Sequence, residues 1–222
     1  VKLSSLGDLF HALPAVHSLK TGLKADVDWV VQSEYVDLVK CFTDIDRVIP
    51  FYRTAFFSRW SPFVTALRQA KYDYVIDLQG LLKSAIVARL ARGGKRIGPS
   101  FHREGARLFY NAVAGRRDKS RHAVEEALDV VGYLGLTPGK PEFPVRFPAQ
   151  KVDGSRPRVA LLPASRWHTK NWPAACFIDV GVRLTKSRNV SLFILGGPAD
   201  VQVCAEVELG LGRNAVNMAG KL

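Results

Sequence analysis

Short apolar runs alternate with helix patterns along the chain, and this alternation restricts the fold more than any other feature of the sequence. The runs predicted to be strands are residues 27–31, 47–49, 74–78, 159–162, 191–195 and 215–217. The segments predicted to be helices are residues 9–20, 61–70, 81–91, 122–134, 174–186 and 199–209. Strands that are short and apolar are typical of sheets buried on both faces. The pattern therefore predicts an α/β protein with doubly wound parallel sheets.

A proline-rich stretch divides the 222 residues into two parts. Five prolines lie between Thr137 and Arg158, a composition typical of a linker. We expect residues 1–150 to form one domain and residues 151–222 to begin a second. Three strands and two helices make a thin domain, so we expect the second domain to be incomplete in this sequence. We also expect residues to precede Val1, because residues 1–3 are too short for a full strand.

Basic residues are concentrated in one segment of a chain whose net charge is +12. Between Lys83 and Arg121 there are eleven basic residues and two acidic ones, a net charge of +9. Such a concentration favours an anionic partner: a nucleic acid, an anionic membrane surface or a charged substrate. A solvated basic face would have the same composition, and this alternative stays open.

Several classes of protein are disfavoured by what the sequence lacks. The cysteines, Cys41, Cys176 and Cys204, are far apart, which argues against a zinc site and a disulfide framework and indicates a reducing compartment. No run approaches the roughly 20 apolar residues of a membrane span, and no signal peptide is present. No Gly-x-Gly-x-x-Gly follows a strand, no nucleophile elbow is visible, and the histidines lack zinc spacing.

The first candidate site is the joint between an apolar fragment and a helix pattern near the start of the sequence. It reads Lys2-Leu3-Ser4-Ser5-Leu6-Gly7-Asp8-Leu9-Phe10-His11. In an open α/β sheet such a joint lies at the carboxyl end of a strand, where ligands bind. Asp8 can cap the helix or accept a proton in a cleft, and the spacing alone leaves both roles open. His11 lies one turn later and is expected to face the same cleft.

A similar joint follows a later strand and reads Asp77-Leu78-Gln79-Gly80-Leu81-Leu82-Lys83-Ser84. If the two strands are neighbours, Gln79 and Lys83 face the same cleft as Asp8. The amide would then suit hydroxyl groups and the ammonium an anionic group. The alternative is that Gly80 only makes the turn and Lys83 is a surface residue.

Two loops of the second part have features of an anion site. Ser165, Arg166 and Lys170 precede a helix that would begin at Pro173, and a loop at a helix N-terminus would hold a diphosphate. The loop lacks the glycine pattern of a Walker loop. The next strand is followed by Gly196-Gly197-Pro198, which lets a ligand approach the backbone closely. Surface charge in the first loop and an ordinary turn in the second are the alternatives.

Residues 51–63 contain six aromatic side chains together with Arg53 and Arg59. This composition is typical of a membrane interface or of a site for a lipid-bearing ligand. Packing of several of these rings in the core is the alternative.

Taken in order, these segments resemble the ADP-heptose:lipopolysaccharide heptosyltransferases, glycosyltransferase family 9. The resemblance is carried by residues 2–8, 13–15, 75–84, 108–111, 122–125, 170–173 and 196–198. They are spread over the whole chain and keep the family's order. The aromatic segment and Arg103-Glu104 are most similar to the members that add the first heptose to the Kdo sugar of the inner core.

The resemblance implies a GT-B architecture of two Rossmann-like domains, in which residues 1–150 bind the acceptor and residues 151–222 the nucleotide-sugar. The implied reaction is an inverting, metal-independent transfer of heptose from ADP-heptose to the Kdo sugar of the lipopolysaccharide inner core, without a cofactor. The implied partners are ADP-heptose and an anionic lipid-linked acceptor, with peripheral contact at the cytoplasmic face of the inner membrane and no nucleic acid.

The resemblance also implies roles for individual residues. Asp8 matches the general base that takes the proton of the acceptor hydroxyl. Lys170 would neutralise the ADP leaving group. The other donor-binding residues would be Ser165, Arg166, Gly196, Gly197 and Asp200, and the acceptor-binding residues would be Ser5, His11, Arg53, Gln79, Lys83 and Arg103.

Two features depart from the family pattern. A later Asp-Thr/Ser-Gly-x-x-His segment has no match in these 222 residues, and Arg166 stands where the family often has a small hydroxyl residue. Two other functions stay open: a glycosyltransferase of the same fold that uses another nucleotide-sugar, and a nucleic-acid-binding module built on the basic segment.

Overall fold

The computed structural model describes residues 1–53, 56–148, 156–165 and 168–221, apart from the side chains of Phe56, Phe57 and His168. The chain divides into two compact units, Val1–Ala149 and Gln150–Leu222. Among the described residues, none of the helices has the length and apolar character needed to cross a bilayer.

The described residues of the first unit form five strands and five α-helices. The strands are β1 (Asp28–Gln32), β2 (Arg47–Phe51), β3 (Tyr72–Ile76), β4 (Gly93–Pro99) and β5 (Ala112–Ala114). The helices are α1 (Leu6–Leu23), α2 (Val36–Val39), α3 (Phe56–Leu67), α4 (Leu82–Leu90) and α5 (Ala123–Tyr133). β1 pairs with β2, and β4 lies between β3 and β5; every pair is parallel.

Residues 1–3 join these two groups of strands. The Lys2 N–H donates to the Val30 carbonyl over 3.3 Å, and the Gln32 N–H donates to the Leu3 carbonyl over 3.1 Å. On the other side, the Leu78 N–H donates to the Val1 carbonyl over 2.9 Å. The extended residues 1–3 therefore lie between β1 and β3, and the order across the unit is β2, β1, residues 1–3, β3, β4, β5.

Side chains from β1 alternate between two hydrophobic cores. Trp29 and Val31 belong to a core built with α1 and α5, whereas Val30 belongs to a second core built with α3 and α4. Alternation of this kind is expected of a strand covered by helices on both faces. The first unit is therefore doubly wound, as predicted.

The second unit repeats the pattern with fewer strands. It contains β6 (Arg158–Leu161), α6 (Ala174–Ser187), β7 (Ser191–Ile194), α7 (Val201–Leu211) and β8 (Ala215–Asn217). The three strands are parallel, in the order β6-β7-β8, and their core is formed chiefly by Leu161, Leu192, Ile194, Val207 and Leu211. The predicted strand–helix alternation of this part is confirmed.

The sequence patterns did not predict β4 or β5. β4 carries Gly93 and Gly94, which are poor strand formers, and this composition indicates a loop. In the structure both glycines are needed, because an added Cβ would lie 2.0 Å from the Tyr72 carbonyl oxygen at Gly93 and 2.0 Å from the Asp73 carbonyl oxygen at Gly94. Hydrogen bonding to strands on both sides outweighs the unfavourable local propensity.

Several predicted boundaries also need correction. α3 begins five residues before the predicted Ser61, and α7 runs over Val201–Leu211 instead of residues 199–209. α1 begins three residues before the predicted residue 9 and ends three residues after the predicted residue 20. The predicted linker is partly attached to the first unit: the Thr43 N–H donates to Pro144 over 3.0 Å, and the Arg146 N–H donates to Cys41 over 2.7 Å.

Candidate active site

Three chain segments meet at the carboxyl edge of the first unit's sheet. The Gln79 Oε1 accepts hydrogen bonds from the backbone N–H of Leu3 (3.1 Å) and of Ser4 (3.2 Å). The Arg103 N–H donates to the Gly80 carbonyl over 2.8 Å. Because residues 1–3 and β3 are neighbours, the loop that carries Gln79 lies against the loop that leads to Asp8, as the sequence predicts for adjacent strands.

Asp8 lies in the first turn of α1 and takes part in the helix start. Its Oδ2 accepts hydrogen bonds from the Ser5 N–H (3.0 Å) and from the Ser5 hydroxyl (2.8 Å), which is the carboxylate half of a capping box. Its Oδ1 has no hydrogen bond from the described residues and lies 3.9 Å from the His11 Nδ1. Capping therefore occupies one oxygen, while the second is left for chemistry, and the carboxylate is 44% exposed.

The surroundings keep Asp8 ionised. Burial by itself would raise the pKa of Asp8, but the two hydrogen bonds from Ser5 and the electrostatic interactions with Lys2 and His11 outweigh it and lower the pKa below its ordinary value. The N-terminus of α1 favours a negative charge in the same way. At neutral pH the side chain is thus a carboxylate that can accept a proton.

His11 lies beside Asp8 and contacts a second histidine, His122. The rings of His11 and His122 contact each other edge to face, with centroids 5.2 Å apart. The His122 Nδ1 accepts the Val124 N–H over 3.3 Å and caps α5, so this histidine has a structural role. The His11 Nδ1 is buried without a hydrogen-bond partner among the described residues. His11 is the member of the pair whose ring nitrogen faces Asp8, 3.9 Å from its Oδ1.

Asp77 organises the second loop, although the sequence analysis gave it no role. Its Oδ1 accepts the N–H groups of Gln79 (2.8 Å) and Gly80 (3.3 Å), and its Oδ2 accepts the hydroxyls of Ser84 (2.8 Å) and Tyr110 (2.6 Å). The side chain is only 1% exposed. The available sequence signal was an aspartate two residues before Gln79-Gly80, a pattern typical of an Asx turn.

Gly80 makes the turn that the sequence left as an alternative. Its φ is +71°, and an added Cβ would lie 2.9 Å from the Pro99 side chain and 3.2 Å from the His102 Cα. A side chain at this position would be strained by its backbone conformation and crowded by its neighbours. Gly80 therefore serves the shape of the loop, whatever the loop binds.

The basic residues predicted to meet the acceptor are on the surface. Lys83 lies in the first turn of α4 and is exposed, as are Arg53 and Arg103. None of the three side chains has a hydrogen-bonding or ionic contact in the described part of the chain. They are free to bind an anion, and a merely solvated role for Lys83 stays open.

The aromatic segment is divided between core and surface. Phe51 and Phe63 are buried, with ring centroids 5.4 Å apart, and Trp60 packs against them. Arg59 lies over the Tyr52 ring, 5.3 Å from its centroid. Core packing, which was the alternative for this segment, accounts for these rings; residues 54–55 and the side chains of Phe56 and Phe57 lie outside the description.

The basic segment is largely turned towards solvent. Arg121 pairs with both carboxylate oxygens of Asp129 (2.8 and 3.0 Å), and the Lys95 ammonium lies 4.7 Å from the centre of the Tyr133 ring. Eight further basic side chains are exposed: Lys83, Arg89, Arg92, Arg103, Arg107, Arg116, Arg117 and Lys119. Most of the positive charge is therefore available to an anionic partner.

In the second unit, the loop after β6 is shaped by Asn171. The Asn171 Oδ1 accepts both the backbone N–H and the hydroxyl of Ser165, each over 2.8 Å. Lys170 is exposed, and Pro173 is the residue before α6 and not its first residue. Arg166 lies outside the described residues. Ser165 and Lys170 therefore precede the N-terminus of α6, as predicted, with Lys170 as the exposed cation.

The loop after β7 is held by contacts within the second unit. The Asp200 carboxylate accepts the Gly197 N–H over 2.9 Å, so it holds its own turn. At Gly196 an added Cβ would lie 2.7 Å from the Cys204 Sγ, which leaves no room for a side chain. Close packing inside the unit thus accounts for Gly196 and Asp200, while Gly197 is exposed.

A large cavity lies away from these loops. It has a volume of about 890 Å³ and is found at the amino-terminal edge of the first unit's strands, where Asp28, Arg47 and Tyr72 form part of its lining. None of the residues predicted as site residues lines it. The cavity is therefore separate from the candidate site around Asp8.

Replacing Ser5 with alanine should raise the pKa of Asp8. The Ser5 hydroxyl stabilises the ionised carboxylate. Without it, fewer interactions offset the effect of burial, which raises the pKa. Because the pKa of Asp8 is lower in the folded state than in the unfolded state, the ionised side chain stabilises the fold at pH values above its ordinary pKa. This contribution is lost as the pH falls through the lowered value. Carboxyl ¹³C NMR titration measures the shift, with Ser187→Ala on α6 as the control. A downward shift or no shift in Ser5→Ala contradicts this account of Asp8.

Sequence relatives match most of the chain. The profile of glycosyltransferase family 9 (heptosyltransferase) matches residues 60–222. The lipopolysaccharide heptosyltransferase 1 of Pseudomonas aeruginosa is 28% identical over 97% of this chain and 65% of its own length. That of Salmonella typhimurium is 35% identical over 79% of this chain and 61% of its own length. The chain spans less than two thirds of the length of these curated relatives.

Comparison with solved structures agrees with the comparison of sequences. The E. coli heptosyltransferase WaaC with ADP is 27% identical, with a TM-score of 0.83 over 97% of this chain and 72% of that one. The E. coli ADP-heptose lps heptosyltransferase II is 19% identical, with a TM-score of 0.81 over 100% of this chain and 72% of that one, and so supports the fold alone. These neighbours confirm the predicted α/β fold of GT-B type. With the family profile matching the greater part of its length, the chain belongs to glycosyltransferase family 9, the heptosyltransferases.

Proposed function

We propose that this chain takes part in the transfer of heptose from ADP-heptose to the Kdo sugar of the lipopolysaccharide inner core, with inversion and without a metal ion. One observation carries the proposal: Asp8, an ionised carboxylate at the carboxyl edge of the first sheet, has one oxygen fixed by Ser5 and the other unoccupied by hydrogen bonds from the described residues. The names of the relatives support the reaction, and the E. coli enzyme WaaC, 26% identical, has been solved with ADP-2-deoxy-2-fluoro heptose.

The chemistry that we propose is a single displacement. The Asp8 Oδ1 accepts the proton of the acceptor hydroxyl while that oxygen attacks the heptose C1 from the face opposite the diphosphate. The bond between C1 and the diphosphate oxygen breaks, and ADP leaves with the electron pair. By analogy with glycoside hydrolysis, positive charge develops on the sugar in the transition state. A base within hydrogen-bonding distance and a fixed cation near the leaving group each lower the barrier.

We propose that the first unit binds the acceptor and the second unit the nucleotide-sugar. The exposed Lys83, Arg53 and Arg103 suit the anionic groups of the acceptor. Because its Oε1 is engaged by Leu3 and Ser4, Gln79 would offer only its amide N–H groups to that ligand. In the second unit, Lys170 would neutralise ADP, while the N-terminus of α6 adds partial positive charge.

Replacing Asp8 with asparagine should greatly slow transfer while the fold is kept. Asparagine retains an oxygen that can accept the Ser5 hydrogen bonds, but it cannot take the proton. We expect kcat/KM for ADP-heptose and Kdo-lipid A to fall on the order of 10²–10⁴-fold. The assay uses the protein as its gene encodes it, and the control is Asp179→Asn, which removes an exposed carboxylate of α6 paired with Arg183.

Two results would count against the proposal. Normal turnover in the folded Asp8→Asn protein would remove Asp8 from the reaction. A panel of ADP- and UDP-sugars tests the donor, and transfer of a sugar other than heptose would favour a different glycosyltransferase of the same fold.

Replacing Lys170 with glutamine should weaken the binding of ADP. Hydrogen bonds to charged groups contribute about 1.5–3 kcal/mol, so the Kd for ADP should rise roughly tenfold or more. Isothermal titration calorimetry at two salt concentrations measures this, with Lys186→Gln near the C-terminus of α6 as the matched loss of charge. Equal ADP affinity in the two variants would exclude Lys170 from the nucleotide site.

We also propose peripheral contact with an anionic membrane surface through the short 3-10 helix Ala106–Phe109. Leu108 is 87% exposed on this helix, and the exposed Arg103 and Arg107 precede it in sequence. An apolar side chain beside arginines suits an anionic lipid surface, because the headgroups attract the guanidinium groups while the leucine enters the apolar boundary. The net charge of +9 between Lys83 and Arg121 acts in the same direction.

Replacing Leu108 with serine should reduce binding to vesicles of phosphatidylglycerol and phosphatidylethanolamine. The control is Leu209→Ser, because Leu209 on α7 is 85% exposed but has Glu206 and Glu208 close by in sequence. In cosedimentation at low salt, the wild type and Leu209→Ser should bind the vesicles equally, and Leu108→Ser should bind less. Added salt should weaken the binding of all three proteins. Equal binding of the wild type and Leu108→Ser would rule out this surface.

A further inference from the structure

Asp77, a buried carboxylate in the first unit, accepts more hydrogen bonds than a turn alone would supply. Asp77 is 1% exposed and accepts four hydrogen bonds, two from backbone N–H groups and two from hydroxyls. Burial of a charge is costly unless its oxygens are fully paired. Two donors lie in its own loop, the third, Ser84, lies in α4, and the fourth, Tyr110, is 33 residues away in sequence.

Tyr110 is suited to remain a donor. Burial raises the pKa of Tyr110, and the Asp77 charge beside it raises the pKa further, so the phenol stays protonated at any physiological pH. Its ring is buried and leaves no room for a Cβ at Gly98, which would lie 2.1 Å from the ring. The Tyr110 hydroxyl is therefore fixed against Asp77 by packing as well as by the hydrogen bond.

The loop that Asp77 fixes reaches Asp8 through one side chain. The backbone N–H of Gln79 is bonded to Asp77, and the Oε1 of Gln79 accepts the N–H groups of Leu3 and Ser4. The next residue, Ser5, donates both its N–H and its hydroxyl to the Asp8 carboxylate. Hydrogen bonds and the chain itself thus connect the buried Asp77 with the Asp8 carboxylate.

We infer that Asp77 and Gln79 are positioning residues of the site: Asp77 holds the 77–84 loop so that the Gln79 side chain fixes Ser4 and, through Ser5, the Asp8 carboxylate. The inference rests on the proposed function for its kinetic consequence. Neither residue needs to touch the reacting atoms, and each acts by limiting the movement of Asp8. A displacement of about 1 Å at a reacting group can cost on the order of 10²-fold in rate.

Replacing Gln79 with methionine tests this directly, because methionine has a similar volume but no oxygen that accepts the N–H groups of Leu3 and Ser4. We expect the Ser5 hydrogen bonds to Asp8 to loosen, so that the pKa of Asp8 shifts upward in carboxyl ¹³C NMR. Lys2 and His11 still face Asp8 and lower its pKa, so the shift reports the loss of the Ser5 donors. We expect kcat to fall on the order of 10- to 100-fold with the KM for ADP-heptose unchanged. Because methionine also removes the amide N–H groups proposed to face the acceptor, the Asp8 pKa is the measurement that separates positioning from acceptor binding.

The control variants separate positioning from general stability. Gln202→Met, on the exposed face of α7, should change neither quantity. Asp77→Asn keeps an acceptor for the Gln79 N–H and should retain most of kcat, whereas Asp77→Ala should reproduce the loss seen in Gln79→Met. If Asp77→Ala does not fold, the comparison of Gln79→Met with Gln202→Met decides.

The two levels of the proposal can fail separately. A folded Gln79→Met protein with unchanged Asp8 pKa and unchanged kcat overturns the positioning role. If the wild type does not transfer heptose, the proposed function fails, while the NMR titration still decides whether Gln79 and Asp77 hold Asp8.

Discussion

The pairing of residues 1–3 with β1 on one side and β3 on the other is the interaction on which the first unit depends. Without these hydrogen bonds, β1–β2 and β3–β4–β5 would share no backbone ladder. With them, two loops leave the sheet side by side at its carboxyl edge, one leading to Asp8 and the other containing Asp77 and Gln79. The candidate site is thus a consequence of strand order, as is usual where ligands bind to open α/β sheets.

The structural and chemical roles of Asp8 are compatible because a carboxylate has two oxygens. One oxygen closes the capping box with Ser5, and this fixes the side chain in one orientation. The same hydrogen bonds lower its pKa, which makes Asp8 a weaker base but keeps it ionised at neutral pH. A weak base that is correctly placed can still act, since the acceptor hydroxyl becomes acidic only as its bond to the sugar forms.

The predicted site residues form two groups: those whose polar atoms are hydrogen-bonded within the chain, and those whose charged groups are exposed. The Asp200 carboxylate, the Gln79 Oε1 and the Ser165 hydroxyl bond within the chain and shape their loops. Lys170 and Lys83 are exposed and have no such contacts among the described residues. Fixed loops that carry free cations at their edges are what recognition of anionic groups requires, because the loops limit the entropy lost on binding while the cations supply the attraction.

Local patterns in the sequence were enough to predict the α/β class, the strand–helix alternation and the position of Asp8 at a helix start, and they offered a turn at Gly80 as an alternative. These features depend on residues close together in the chain: periodicity, caps and glycine turns. The hydrogen bond from Tyr110 to Asp77, the contact of His11 with His122, the engagement of Gln79 by Leu3 and Ser4, and the strand β4 all needed the tertiary structure. The sequence by itself determined which elements form and which side chains could act. Only the fold decided which of them meet, because such contacts join residues 15 to 111 positions apart, and the energies that select them come from packing and pairing between distant segments.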